Sequence, residues 1–297
     1  MPTFDDLKPF IVLGLALGGV FAMSGVGLVV LYRTTGVLNL AYGAIGTTGA
    51  LIAWSLLGGV NQWIAYSAGI AFGGAVTLLY GVVFGPPLAA RDPLVKATAT
   101  IGLLLILLGV MLWVWPPSTT RTYILPTRLH YYEVAGVRVN WTQLLGMIFP
   151  VVVTIGTAIF LRVSNVGTAM RALANDREIT AMLGVPVRRV EAAAWLGSGI
   201  VCGISGVLLG DLVSLDIVSV TFLVIPALAA ALIGQLQSLW VTLIAGFVIG
   251  IVQSCLTAFY DVPIGDKSLA EFRTMTPFVL AIIALLWFAR KRPLVKA

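Results

Sequence analysis

Residues able to do chemistry are few and scattered in this chain. It has two cysteines, Cys202 and Cys255, and one histidine, His130. Metal binding by thiolate or imidazole needs such ligands in a cluster. Both cysteines fall inside apolar runs, and neither sits near the histidine or the other cysteine. They read as small packing groups, so neither a disulfide nor a metal site is expected. His130 stands beside Tyr131 and Tyr132 in a polar stretch and reads as a solvated loop residue. No glycine-rich loop ending in Lys-Ser/Thr occurs, so the chain does not bind ATP in that manner. The apolar runs hold no paired carboxylates and no nucleophile with a base beside it. Enzymatic chemistry and a resident cofactor are therefore not expected.

The elements that would position any site follow from composition. Of the 297 residues, 59% are hydrophobic and only 10% charged, with mean hydropathy +1.03. Soluble domains carry about 25% charged residues. Too few charges are present to cover a water-exposed surface, which excludes a disordered chain, a secreted disulfide scaffold and an ordinary cytosolic enzyme. About 20 apolar residues cross a bilayer. The expected fold is all-α, a polytopic transmembrane helical bundle of about eight or nine spans forming a single domain over 1–297. Apolar runs place these spans near 9–32, 37–57, 63–84, 97–115, 143–161, 191–210, 219–234, 238–257 and 276–289. Asp5, Asp6 and Lys8 precede the first run where a signal peptide would have a basic region, so a cleaved leader is not expected.

Charge distribution sets the orientation. With the C-terminus (Arg290, Lys291, Arg292, Lys296) in the cytoplasm, that face carries 12 of the 18 basic residues and the other face 6. The positive-inside rule then gives N-terminus out and C-terminus in. The net charge of +6 thus reports topology, and no nucleic acid is implied. The outer segment 116–142 reads either as a short folded cap or as a hydrated connector.

No expected span carries an ionisable residue near its centre, which argues against ion-coupled carriers. Small residues are plentiful instead, with Gly14/Gly18, Gly69/Gly73, Gly199/Gly203, Gly206/Gly210 and Gly246/Gly250 all four apart. That spacing lets helix backbones approach closely in lipid. Two segments look interrupted. Gly36–Gly49 is polar and punctuated by glycine, with Asn39 and Tyr42 expected on one helical face. A buried Asn needs either a partner in the bundle or a wet cavity. The other is a short run around a central Pro226, ending at Gly234-Gln235-Leu236-Gln237-Ser238, which reads as broken or re-entrant.

The loop 162–190 is the most informative. Ala169, Ala172 or Leu173, Ile179 and Met182 or Leu183 recur at helical spacing, with Arg171, Asp176, Arg177 and Glu178 opposite them. Gly184 and Pro186 stop the run. The expectation is one amphipathic helix, docked in a protein groove rather than resting on headgroups.

Three blocks together resemble the LivH-type permease subunits of branched-chain amino acid ABC importers. Gly36–Gly49 resembles that family's Gly-x-x-Asn-Phe-Ala-His-Gly segment, with Asn39, Ala41 and Gly43 in place. Arg171–Gly184, continuing through Val190 to Gly210, resembles its cytoplasmic loop and following span. Ala229–Gly250 resembles its late glycine-rich motif. Leu40 and Tyr42 stand where the family commonly has Phe and His, and Ala44 where an acid is frequent. Gln235 replaces a second glycine, and Trp240 occupies a region often holding Pro. Glu178 and Gly184, six apart, echo the coupling-loop signature of importer permeases, with Ile179 and Thr180 replacing its two alanines.

The resemblance implies a multi-pass subunit of the bacterial plasma (inner) membrane that forms a translocation path for aliphatic amino acids. It implies a second, LivM-like permease, two cytoplasmic ATPase subunits and an extracytoplasmic solute-binding protein as partners. Arg171, Asp176, Glu178, Gly184 and Pro186 become the candidates for coupling to the ATPases. Asn39, Tyr42, Thr47 and Pro226 become the candidates for the path. Alternative readings are a permease or facilitator for a small neutral solute such as urea or a short-chain amide, and a secondary carrier.

Overall fold

A computed structural model describes residues 4–116, 121, 125–134, 137–213, 215–222, 224–259, 263–264, 267–268, 272 and 275–291. Arg273, Arg292 and Lys296, counted among the basic residues that assign orientation, lie outside these residues.

The expected apolar runs are helical over most of their described residues. The helices are α1 (Phe4–Thr35), α2 (Tyr42–Leu56), α3 (Gln62–Leu88), α4 (Pro93–Val114), α5 (Trp141–Val163), α6 (Asn165–Asn175), α7 (Arg177–Met182), α8 (Val187–Leu212), α9 (Ile217–Phe222), α10 (Val224–Ile233), α11 (Leu239–Cys255) and α12 (Thr276–Lys291). Their starts carry side-chain caps where orphan N–H groups need acceptors. Asn61 accepts from Trp63, Ser164 from Gly167 and Ser238 from Val241, and Asn140 with Gln143 forms a reciprocal capping box. Two short hairpins, β1 (Tyr131–Val134) with β2 (Val137–Asn140) and β3 (Pro263–Ile264) with β4 (Lys267–Ser268), interrupt the all-α expectation.

Among the described residues, six helices are long and apolar enough to cross a membrane: α1, α3, α4, α5, α8 and α11. The expected count of eight or nine counted three further elements as spans, and these are shorter. At 15 residues, α2 rises about 22 Å, less than the ~30 Å hydrocarbon thickness. Its predicted start at 37 moves to Tyr42, because Gly36 takes φ +68° and ends α1, and residues 37–41 leave the helix. Pro226 is not central to a span but lies in the first turn of α10, where its missing N–H costs nothing.

Helix α1 is the central post. Most of its length is buried, whereas α4 and α5 turn Leu105, Ile106, Trp113, Val152 and Ile159 outward. The glycine pairs are where backbones meet. A methyl at Gly14, Gly18, Gly246 or Gly250 would strike the facing backbone of α1 or α11. Gly73 meets Gly199 and Gly203 between α3 and α8 in the same way, and Trp195 packs on Tyr80 beside Gly81, ring centroids 5.1 Å apart.

Hydroxyls inside the bundle mostly bond their own helix. Those of Thr34, Thr48, Thr77, Thr154 and Ser205 donate to the carbonyl four residues earlier. This removes a polar group from an apolar environment without needing another helix.

Candidate functional site, a polar junction and an exposed helix

At the N-terminus of α2 the chain leaves one helix and starts another deep within the bundle. Asn39 is buried and non-helical, so it does not share a helical face with Tyr42 as expected. Its side-chain oxygen instead accepts the N–H of Ala41 at 3.1 Å, and its Nδ2 is buried without a partner among the described residues. The loop is tied to α4 through Thr100, which donates to the Leu38 carbonyl and accepts from the Leu40 N–H.

One turn on, Tyr42 inserts between α1 and α8. Its hydroxyl is buried, beside Ser24 and Ser205, and forms no hydrogen bond of good geometry. Leaving such a group unpaired costs about 1–3 kcal/mol. The Cys202 thiol donates to the Tyr42 carbonyl at 2.9 Å and so holds the helix start in place. Gly43 lies directly against the backbone of Thr221 in α9, and the Thr221 hydroxyl is 3.4 Å from that of Thr47. Together Ser24, Tyr42, Thr47, Cys202 and Ser205, with Val220 and Val224, enclose a cavity of about 20 Å³, room for one water. The structure thus brings Tyr42 and Thr47 into one neutral polar junction. Asn39 and Pro226 do not line it. Sequence reasoning passed over Ser24, Ser205 and Thr221, since a lone hydroxyl in an apolar run looks like a helix-packing residue.

The second candidate lies at the opposite end of α5 from the β1–β2 hairpin. The expected single helix 171–184 is two helices, α6 and α7, broken at Asp176 (φ −154°, ψ 114°). Asp176 is itself the cap of α7, its carboxylate accepting from the Ile179 N–H at 2.9 Å. An internal cap competes with helix continuation and wins here. Helix α6 seats Met170 and Leu173 against α1, α5 and α8, and Gly167 sits directly on the Phe160 carbonyl. Arg177 pairs with Glu191 of α8 at 3.0 Å, which pins α7 to that helix.

The apolar face of α7 is not covered by other described residues of the chain. Ile179, Met182 and Leu183 are 52%, 79% and 78% exposed, because Thr180 is the α7 residue that turns inward. Arg171, Asp176, Glu178, Gly184 and Pro186 are all exposed around them. Gly184 adopts φ +82°, a conformation that favours glycine, and ends this ledge.

The chain is similar to the high-affinity branched-chain amino acid transport system permease protein LivH of Escherichia coli (strain K12), with 23% identity over 92% of this chain and 91% of that protein. It is likewise similar to the permease protein BraD of the corresponding system of Pseudomonas aeruginosa, with 25% identity over 97% of this chain and 95% of that one. A solved chain described as an inward-facing conformation of a metal-chelate type ABC transporter overlays at TM-score 0.47 and 17% identity, covering 96% and 87% of the two chains. Residues 10–286 match the family described as branched-chain amino acid transport system, permease component, and this multi-pass membrane chain belongs to that family.

Proposed function

We propose that this chain is a permease subunit of an ATP-driven importer for branched-chain, aliphatic amino acids, set in a bacterial plasma membrane with its N-terminus outside. A second, LivM-like permease completes the path, a solute-binding protein delivers the solute from outside, and two cytoplasmic ATPases engage α7. The observation that carries this reading is the apolar ledge of Ile179, Met182 and Leu183, exposed on a short helix held to the bundle at defined points. Apolar side chains on a rigid support suit a partner's groove. A push on α7 passes through Arg177–Glu191 to α8 and through α6 to α1 and α5. The junction at Tyr42 and Thr47 is neutral, which suits a zwitterion that carries its own compensating charges.

The test is affinity purification from native membranes of the wild type beside a Met182→Asp, Leu183→Asp variant. Co-purifying proteins are identified by mass and assayed for ATP hydrolysis. ATPase subunits are expected with the wild type, and about tenfold less with the variant, since two buried interface anchors are lost. The variant's melting should shift by less than about 0.5 kcal/mol, as expected for exposed positions. A wild-type chain that purifies without nucleotide-hydrolysing subunits overturns the reading, and passive urea flux would then be measured.

A further inference from the structure

A groove of about 240 Å³ opens sideways between α1, α5, α6 and α8. Its walls are mostly apolar, with Val30, Phe160 and Met170 on three of the helices and Ala193, Gly197 and Val201 along α8. Phe160 and Gly197 are exposed, so the groove opens to the surroundings of the bundle. An apolar space of about 150 Å³ takes a benzene-sized guest, and this one is larger.

Its depth follows from the helices. Helix α5 ends at Val163 and α8 begins at Val187, both on the side of the bundle that carries α7. From Ala193 to Val201 the α8 wall rises about 12 Å, starting about 9 Å from the helix start. A bilayer puts about 6 Å of headgroup region before each half of its ~30 Å hydrocarbon core. The groove therefore lies at acyl-chain depth in the leaflet next to α7.

Cations gather at its α7 end. Arg171 follows Met170, and with Arg33 it lines a shallow notch that shares Val30 and Met170 with the groove. On α8, Arg189 stands one turn before Ala193, on the face that forms the wall. Arg171 and Arg189 are both exposed, and neither pairs with an acid among the described residues. The acids closest to them in the chain are engaged elsewhere, Glu191 by Arg177 and Asp176 in capping α7. No acid lines the groove or the notch.

We infer that this groove is a site for an anionic phospholipid, one acyl chain lying along α8 and the phosphate held by Arg171 and Arg189. The chain length matches the apolar wall, and the headgroup charge matches the unpaired guanidiniums at headgroup level. The site stands without the importer reading, since it needs neither an ATPase nor a transported solute.

The test uses the purified full chain, stripped of lipid in detergent and titrated with phosphatidylglycerol or phosphatidylethanolamine of identical chains. Bound lipid is counted by native mass spectrometry. One phosphatidylglycerol is expected to bind about tenfold tighter than phosphatidylethanolamine, and an Arg171→Gln, Arg189→Gln variant to lose that preference. A Cβ at Gly197 meets nothing within 4 Å, so Gly197→Leu fills the groove without striking another part of the chain. It is expected to weaken both lipids about tenfold. Excess glycerol phosphate, which has the anion but no chain, should leave the lipid bound. Equal binding of the two lipids by the wild type overturns the inference. So does a Gly197→Leu chain that keeps its phosphatidylglycerol, or displacement of the lipid by glycerol phosphate.

Discussion

The two ends of the bundle solve opposite problems. At the end carrying β1 and β2, polar groups are drawn inward and tied. Asp211, in the last turn of α8 and buried, accepts the Leu125 N–H at 2.9 Å, while Arg128 donates to its carbonyl at 2.9 Å. The Arg121 guanidinium lies 5.6 Å from the Trp54 ring, and its carbonyl accepts from Leu215. Trp115 bonds Ser55, and Thr127 bonds Thr142. The described part of the segment 116–142 is thus a folded cap rather than a loose connector. At the α7 end the reverse holds. Apolar side chains face out, the charged ones around them are exposed, and one ion pair and one cap do the fastening. A surface that ties most of its polar groups internally keeps its shape alone, even with Arg121 Nε and Asp211 Oδ2 buried without a hydrogen bond. A surface that leaves apolar groups outward is one built for contact with a partner or a membrane.

This contrast breaks most easily at Asp211. Asp211→Ala strands the buried Leu125 N–H and removes the carboxylate that lies 3.9 Å from Arg128, which should cost about 2 kcal/mol. Thermal melting in detergent should fall and proteolysis within 116–142 should rise; an unchanged melt would mean the cap is held elsewhere. The matching change at the other end, Asp176→Ala, removes only an exposed cap. About 1 kcal/mol should be lost locally, seen as faster hydrogen exchange in α7 with the global melt unmoved. The smallest effect has the opposite sign. Gln235 and Leu236 turn from α10 into α11 with φ +54° and +53°, in the region that L residues avoid. Gln235→Gly should raise stability by up to about 1 kcal/mol on the same melting assay.

Much of this was legible in the residues. The apolar runs are largely helical; Gly14/Gly18 with Gly246/Gly250 became the contact of α1 with α11 and Gly73 with Gly199/Gly203 that of α3 with α8, while Gly69 and Gly206 meet Gly49 and Gly46 of α2 instead. The position where the resembled family has a second glycine is the one where Gln235 is forced to positive φ. What failed, failed for definable reasons. Periodicity says which residues share a helical face, not where a helix breaks, so 171–184 was read as one helix rather than α6 and α7. The break at Asp176 had a signal, a capping residue before Arg177-Glu178, but continuous helical spacing outweighed it. Hydropathy placed the start of α2 too early because Val37, Leu38 and Leu40 are apolar yet not helical. Asp211 looked like a loop acid, and nothing in the sequence announced a buried acceptor. The junction needed three distant segments to meet, which no local pattern encodes.

The hydroxyls of Thr34, Thr48, Thr77 and Thr154, closed on their own helices, bear on how the protein is made. A ribosome releases these segments to the membrane in order, N-terminal ones first. Each threonine reaches the lipid with its hydroxyl already satisfied, whatever has or has not yet followed it. Tyr42 and Asp211 differ, since Ser24 and Ser205, which flank the Tyr42 hydroxyl, and Leu125, whose N–H Asp211 accepts, come from separate segments. Insertion can therefore proceed helix by helix, while burial of these two groups waits until translation has supplied α8.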